Sequence, residues 1–299
     1  MKNEGPDVLE WVSYYLAQGA DRIVVYTNDT TDGSDLLLDA MQQAGLVVHR
    51  RHQIPKGRAP QEAAADRLIG DPAYRDSRWA LWVDADEFFL PLGDGRMTGL
   101  IARLEDEGCD ALMAGWQNFG SSGHAVAPEG LVIENFTMTT AKPTRMSRTY
   151  KTLFRVSDRI SELFIHRPIW QAEATPAAVA PDGRRLTNEF LHEMKENGRP
   201  NELIPRPYMS ATPPAIVCHY AVKSIQQFRL KAKRGDAMGN KGRFSDNYLN
   251  RFDINEVEDR RMAPWIAPTR ARMQACLADP GIASAWQETR ARRAALFAV

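Results

Sequence analysis

Two aspartates one residue apart, Asp84 and Asp86, follow the apolar run Trp79-Ala80-Leu81-Trp82-Val83 and precede a second, Phe88-Phe89-Leu90. Carboxylates set among core residues are unfavourable unless they are paired or hold a cation. On a strand, residues i and i+2 share a face, so both side chains are expected to approach one ion at the strand end. Hard oxygen ligands of this kind suit Mg2+ or Mn2+ and leave coordination positions for phosphates. The pattern therefore points to a divalent cation and a phosphate-bearing substrate, with Glu87 either supporting the pair or facing solvent. A solvated turn carrying two surface acids is the plain alternative.

Other stretches carry chemistry of the same kind. The polar cluster Thr27-Asn28-Asp29-Thr30-Thr31-Asp32-Gly33-Ser34 follows a β-rich run and opens a helix. It sits on the rim where open α/β sheets bind ligands. Asn28 or Asp29 suits contact with a base or ribose, and Asp32 or Ser34 suits the helix cap. Further on, Ile216-Val217-Cys218 delivers His219, a neutral imidazole able to complete a site made by two carboxylates. His166 is a rival for that role. From His219 to Arg243, Lys223, Arg229, Lys231, Lys233, Arg234, Lys241 and Arg243 stand against one acid, Asp236. Such an excess attracts a diphosphate, although a solvated helix face accounts for most of these residues. The loop Trp116-Gln117-Asn118-Phe119-Gly120-Ser121 suits stacking on a sugar as well as it suits a strand exit with core aromatics. No glycine-rich dinucleotide fingerprint and no Gly-x-Ser-x-Gly elbow is present, so neither a nicotinamide cofactor nor that hydrolase chemistry is supported.

The elements that must position these residues alternate through the first third. Helical spacing runs from Val8 to Leu16, with Pro6 in its first turn and Gly19 as a stop. Strands are expected at residues 22–26, 46–49, 79–83 and 111–116, and helices at 35–43, 61–69 and 97–107. This rhythm predicts crossover units and an α/β, mainly parallel sheet with flanking helices. The rhythm breaks between residues 121 and 215, where short strand-like pieces such as Leu153-Phe154-Arg155-Val156 and a loop over 172–184 are expected. A strand at 216–220, a basic helix from Ser224 to Arg234 and a helical tail from Pro268 to Ala298, interrupted at Pro280-Gly281, complete the chain. The expected organisation is a core at 1–120, a less regular donor and acceptor region at 121–235, and a helical extension at 236–299.

Composition narrows the class. The chain has 299 residues, is 43% hydrophobic, and balances 38 Lys and Arg against 38 Asp and Glu. That balance lacks the basic footprint of a nucleic-acid binder. No stretch approaches the roughly 20 apolar residues of a membrane span, which leaves peripheral membrane contact open. The N-terminus has no signal-peptide pattern. Cys109, Cys218 and Cys276 are far apart and show neither a disulfide framework nor metal spacing. A cytoplasmic protein is expected.

With these segments assembled, the chain resembles the nucleotide-diphospho-sugar transferases of the GT-A fold, and more narrowly the bacterial glycosyltransferase family 2-like proteins. The resemblance rests on Met1-Lys2-Asn3-Glu4-Gly5-Pro6 with Glu10-Trp11, the 27–34 turn, Trp82-Val83-Asp84-Ala85-Asp86-Glu87-Phe88, Trp116 to Ser121, His166-Arg167-Pro168 and His219-Tyr220-Ala221-Val222-Lys223-Ser224. These span most of the chain to about residue 235. The resemblance implies a Rossmann-related core and a metal-dependent glycosyltransferase that moves a sugar from a nucleotide-diphosphate donor to a saccharide or glycoconjugate hydroxyl. Lys2, Asn3, Glu4, Asn28, Asp29, Asp84 and Lys223 would bind the donor. Asp84, Asp86 and His219 would hold Mn2+ or Mg2+, and Trp116, Phe119 and Gly120 would face sugar. Glu129, Glu134 and Glu162 are the expected general-base candidates. Two departures stand out. The family's fold begins with a strand ahead of the Lys-Asn-Glu segment, where this chain starts, and its paired aspartates are replaced by Thr27-Asn28-Asp29-Thr30. The alternatives are a nucleotidyltransferase acting on a sugar phosphate and a non-catalytic carbohydrate-binding module.

Overall fold

The computed structural model describes residues 1–93, 95–240 and 242–298. The first third alternates as its pattern predicts. In order come α1 (Asp7–Ala17), β1 (Val24–Thr27), α2 (Ser34–Gln43), β2 (Val48–Arg51), α3 (Pro60–Leu68), α4 (Pro72–Arg75), β3 (Trp79–Leu81), β4 (Glu87–Pro91), α5 (Met97–Asp106) and β5 (Ala111–Asn118). Short pieces follow: α6 (Val132–Asn135), β6 (Met138–Thr139), β7 (Tyr150–Arg155), β8 (Ile160–Leu163), β9 (Pro168–Trp170), β10 (Ala178–Val179) and α7 (Asn188–His192). The chain then forms β11 (Ala215–His219), α8 (Ile225–Arg234), α9 (Asp246–Phe252), β12 (Val257–Glu258), α10 (Ala263–Leu277) and α11 (Pro280–Phe297). Ser224 and Gln227 close a reciprocal capping box at the start of α8, satisfying amides that a helix start otherwise leaves unpaired. Among the described residues, no helix is long and apolar enough to cross a membrane.

The molecule is α/β, but its sheet is not mainly parallel. The central sheet runs β3-β7-β5-β11-β4, with β10 also on β5, while β1 and β2 pair separately. Pairings β1–β2, β5–β10 and β5–β11 are parallel; β3–β7, β5–β7, β4–β11, β6–β12 and β8–β9 are antiparallel. The expectation of a mostly parallel sheet is thus corrected. The reason is burial. Leu112, Ala114 and Trp116 of β5 face one apolar cluster with α1, α5 and α10, while Ala111 and Met113 face a second with β7, β9 and α7. A strand buried on both faces is a continuous apolar run whichever way its neighbours point.

The link between β3 and β4 sets the sheet's shape. Those strands are the two edges, so residues 82–86 pass over the ends of β7, β5 and β11. A flat sheet would hold the edges about 19 Å apart at ~4.8 Å per neighbour. The link closes on itself where the Glu87 amide donates to the Asp84 carbonyl at 3.1 Å. An extended piece followed by such a turn reaches only roughly 17 Å, so the sheet curls to bring its edges together. Edge strand β4 is covered by α1. Trp11 Nε1 and the Tyr15 hydroxyl donate to the Glu87 carbonyl, and the Tyr14 hydroxyl donates to that of Phe89. The Phe89 amide donates to the Tyr15 hydroxyl. Aromatic side chains thereby satisfy backbone groups that an edge would leave bare.

The C-terminal helices pack on the first third. Trp286 Nε1 donates to the Pro6 carbonyl at 3.2 Å, and Arg293 bonds Asp7 at 2.5 Å. α10 begins before Pro268, which lies inside it, so that proline is not the helix start it resembles in sequence. Gly120 packs without a side chain against the 254–255 segment: a Cβ there would stand 2.5 Å from Asn255 Oδ1 and 2.7 Å from the Ile254 carbonyl. Gly120→Ala should lower unfolding stability by about 1–3 kcal/mol, read as a reduced urea midpoint at unchanged slope; a midpoint equal to wild type would refute this packing.

Candidate active site

The curl gathers five strand ends on one rim. β3, β5 and β11 arrive with their carboxyl ends, carrying Asp84, Trp116 to Asn118 and His219; β7 and β4 start there with Lys151 and Glu87. Asp84 and Asp86 lie in the link rather than on a strand, so the alternation argument does not govern them. They have different partners.

Asp84 is anchored through both oxygens. Gln61 Nε2 donates to Oδ1 at 2.5 Å, and Lys151 Nζ donates to Oδ2 at 3.1 Å. Lys151 is fully buried and also reaches Glu87 Oε2 at 3.2 Å and the Ile165 carbonyl at 2.8 Å. Burial opposes its charge, but Asp84 and Glu87 outweigh that and hold its pKa above the usual lysine value. Glu87 is fully buried, accepts the Asp84 amide at 2.8 Å, and leaves Oε1 without a partner. Burial pushes its carboxyl up to about 8, against the pull of Lys151. Of the sequence alternatives for Glu87, solvent exposure is therefore excluded.

Asp86 is the freer acid. Lys231 of α8 donates to Oδ2 at 2.5 Å, and His219 Nε2 stands 4.0 Å from the same oxygen. Burial would raise this carboxyl, but the Lys231 ammonium beside it holds it far below the carboxylate range. His219 Nδ1 lies 2.8 Å from Asn118 Oδ1, an acceptor. Nδ1 therefore carries the proton, and the Nε2 lone pair faces Asp86. Burial lowers His219 to about 4, so it is neutral at pH 7. Among the described residues, no three His, Cys, Asp or Glu side chains form a metal-holding group. A carboxylate and a neutral, oriented imidazole nevertheless fit a cation whose remaining positions go to water and phosphate, once Lys231 yields the shared oxygen.

The residues expected to bind a donor meet where the 1–4 segment bonds the loop after β1. Asn3 Oδ1 accepts the Thr31 amide at 2.8 Å, and Asn3 Nδ2 donates to Thr31 Oγ1 at 3.0 Å. The Asn28 amide donates to the Met1 carbonyl, and Asn28 Nδ2 to Asp29 Oδ2. Arg234 clamps the same segment through the Lys2 and Asn3 carbonyls and Glu4 Oε1. Arg234 follows Lys231, the partner of Asp86, by one turn of α8, which brings this segment toward the acids. Asn3, Asp29 and Lys223 all adopt left-handed φ, at 53°, 45° and 56°, strain of a kind that collects at functional sites. Lys223 itself is engaged by Asp7.

Other expected residues are placed elsewhere. Phe119 is buried and stacks on Tyr220 at 4.8 Å, and Gly120 fills a packing contact, so neither presents a surface to sugar. Trp116 is also buried, stacked on His219 at 4.0 Å, with its Nε1 unpartnered. Glu129 pairs with Arg290 and Glu134 with Arg270, while Glu162 is exposed on β8. Lys241 lies outside the described residues. Sequence reasoning missed Lys151 and Gln61, which sit far along the chain with no spacing signal to the acids. It also missed the relay in which His49 joins Thr27 Oγ1 and Asp39 Oδ1, each at 2.7 Å. Thr27 is buried, so this relay ties β1 to α2 and β2.

No family model matches the chain. A glycosyltransferase family 92 protein of Ricinus communis is 27% identical to it over 152 residues, covering 48% of this chain and 26% of the relative. The chain thus spans about a quarter of the length of that curated relative.

Replacing Lys151 by Met should remove about 3–5 kcal/mol of stability, because it strands Asp84 and Glu87. Adding Glu87→Gln should restore part of the loss, a coupling that additive denaturation energies would contradict. His219 bears on acid stability. Its pKa is near 6.5 in an unfolded chain and about 4 when folded. The unfolded chain therefore gains the proton first, and stability present above pH 6.5 is lost as pH falls toward 4. Relative to His219→Gln, the wild type should lose roughly 2 kcal/mol between pH 7.5 and 5, measured by urea unfolding of both proteins; a constant difference would refute the neutral buried imidazole.

Proposed function

We propose that this chain transfers a sugar from a nucleoside-diphosphate donor to a hydroxyl acceptor. The observation that carries the reading is the convergence at one rim of Asp86, the oriented Nε2 of His219, the basic helix α8 and the 1–4 and 28–31 loops. The likeness to a glycosyltransferase family 92 protein supports glycosyl transfer as the reaction class. A GT-A-like arrangement belongs to the same reading, since β1 and β2 are parallel and precede the acidic link.

In this reading the base and ribose lie against Asn3, Asn28 and Asp29, and the diphosphate lies between that wall and α8. Asp86 and His219 would hold Mg2+ or Mn2+, which when bound supplies positive charge to the diphosphate leaving group. Lys231 then turns from Asp86 to the phosphates, an exchange of one anion for another that leaves its charge compensated. Asp84, fixed by Gln61 and Lys151, holds the link in place beneath the ligand. Arg243 lies close enough to feel Asp84, so the loop after α8 adds a further cation at the mouth.

The test is thermal unfolding with UDP, GDP and CDP, each with and without Mn2+. A nucleotide present at a hundred times its Kd adds about 2.7 kcal/mol, roughly 5 °C for a chain of this size. A Mn2+-dependent rise in wild type that vanishes in Asp86→Asn is expected. Equal rises in both proteins, or none with any nucleotide, would overturn the proposal. Release of pyrophosphate from a nucleoside triphosphate and a sugar phosphate would transfer it to nucleotidyl chemistry.

A further inference from the structure

The reaction proposed above needs a group to take the proton of the acceptor hydroxyl; Glu129 and Glu162 are exposed, and Glu134 pairs with Arg270. His166 meets the requirement on geometry. It stands in the tight turn between β8 and β9, closed by the Phe164 amide donating to the Arg167 carbonyl at 3.1 Å. Neighbours on both sides are pinned. The Ile165 carbonyl accepts from Lys151, and Arg167 donates to the Phe190 and Glu193 carbonyls, each at 2.9 Å. The His166 carbonyl itself accepts from Thr152 Oγ1 at 2.8 Å.

The imidazole is oriented as well as held. Nδ1 lies 2.8 Å from the Tyr150 carbonyl. A carbonyl only accepts, so Nδ1 carries the proton and Nε2 the lone pair. Among the described residues, Nε2 has no hydrogen-bond partner. The ring lies 6.0 Å from that of Trp116, which in turn lies 4.0 Å from that of His219. The two imidazoles are thus no farther apart than those two separations together. Lys151 donates both to Asp84 Oδ2 at 3.1 Å and to the carbonyl of Ile165, the residue before His166, at 2.8 Å, so His166 stands beside the acidic link.

We propose that His166 is the general base of glycosyl transfer at this rim, an inference that rests on the function proposed above. The acceptor oxygen bonds to the anomeric carbon while its proton passes to Nε2. The bond from that carbon to the diphosphate oxygen breaks, and its electron pair leaves with the nucleoside diphosphate. The imidazolium later returns the proton to water. Burial, reinforced by Lys151, lowers the His166 pKa well below 6.5, so the base form is present at neutral pH. A single displacement with a base on the far side of the sugar inverts the anomeric centre.

The experiment first identifies a donor and acceptor pair for the wild type. UDP-glucose, UDP-galactose, UDP-N-acetylglucosamine and GDP-mannose are screened with Mn2+ and p-nitrophenyl glycosides for nucleoside diphosphate release. His166→Gln and His166→Ala are then compared with wild type on that pair. Loss of a general base should lower kcat by about 10²-fold or more, with the Mn2+-dependent Kd for the nucleoside diphosphate unchanged. Added imidazole should restore part of the rate in His166→Ala, and the product of the wild type should have inverted configuration. A His166→Gln enzyme turning over at nearly the wild-type rate would overturn the assignment, as would a fall in kcat matched by an equal fall in nucleotide affinity. Should both variants unfold, carbethoxylation of His166 in the wild type, blocked by acceptor and abolishing transfer, reads the same point; transfer that survives modification overturns it. If the wild type neither binds nucleotide nor releases it, the proposed function has failed, and this assignment with it.

Discussion

The whole rim depends on charge compensation in a dry place. The link 82–86 and the start of β4 bring three carboxylates, Asp84, Asp86 and Glu87, to the edge of the core. Such a set survives only because ammonium groups reach it from elsewhere. Lys151 comes from the first turn of β7 and Lys231 from the middle of α8. Neither can be placed until the antiparallel β5–β7 pairing and the α8 cap have formed. Sheet order, helix capping and site electrostatics are therefore one problem.

The two aspartates illustrate how a symmetric motif becomes an asymmetric site. Asp84 spends both oxygens on Gln61 and Lys151 and fixes the backbone. Asp86 accepts from Lys231 at one oxygen, with the His219 Nε2 lone pair 4.0 Å away, and has no partner at the other among the described residues. The two acids thus differ in the lysine that holds them. Lys151 is walled in on every side, whereas Lys231 is partly exposed on α8 with its ammonium 5.5 Å from the centre of the Phe244 ring.

Much of this was legible in the sequence. The alternation of the first third placed α1, α2, α3, α5 and β5 close to where they lie, because each has either a one-sided apolar stripe or a clear stop. Asp84, Asp86 and His219 stand out in the sequence as polar residues set among apolar ones, and the fold brings Asp86 and His219 together. Strand direction was not visible, because β5 and β11 are apolar on both faces. Partners distant in sequence were not visible either: Lys151 sits in Tyr150-Lys151-Thr152-Leu153, a pattern that fits any strand. Phe119 and Gly120 misled because an aromatic–glycine pair suits a binding loop and a tight packing contact equally well, and only the approach of residues 254–255 distinguishes them.

One consequence of the short link concerns how such a chain tolerates change. Because residues 82–86 tie opposite edges of the sheet, their number works as a tether whose length fixes the curvature. Adding a residue there would let the edges drift apart and unroll the bed on which five strand ends meet, even if every side chain were kept. Lengthening the exposed turn at residues 195–198 would do nothing of the kind. Natural variants of this architecture should therefore collect insertions in the second half of the chain and leave the acidic tether at constant length.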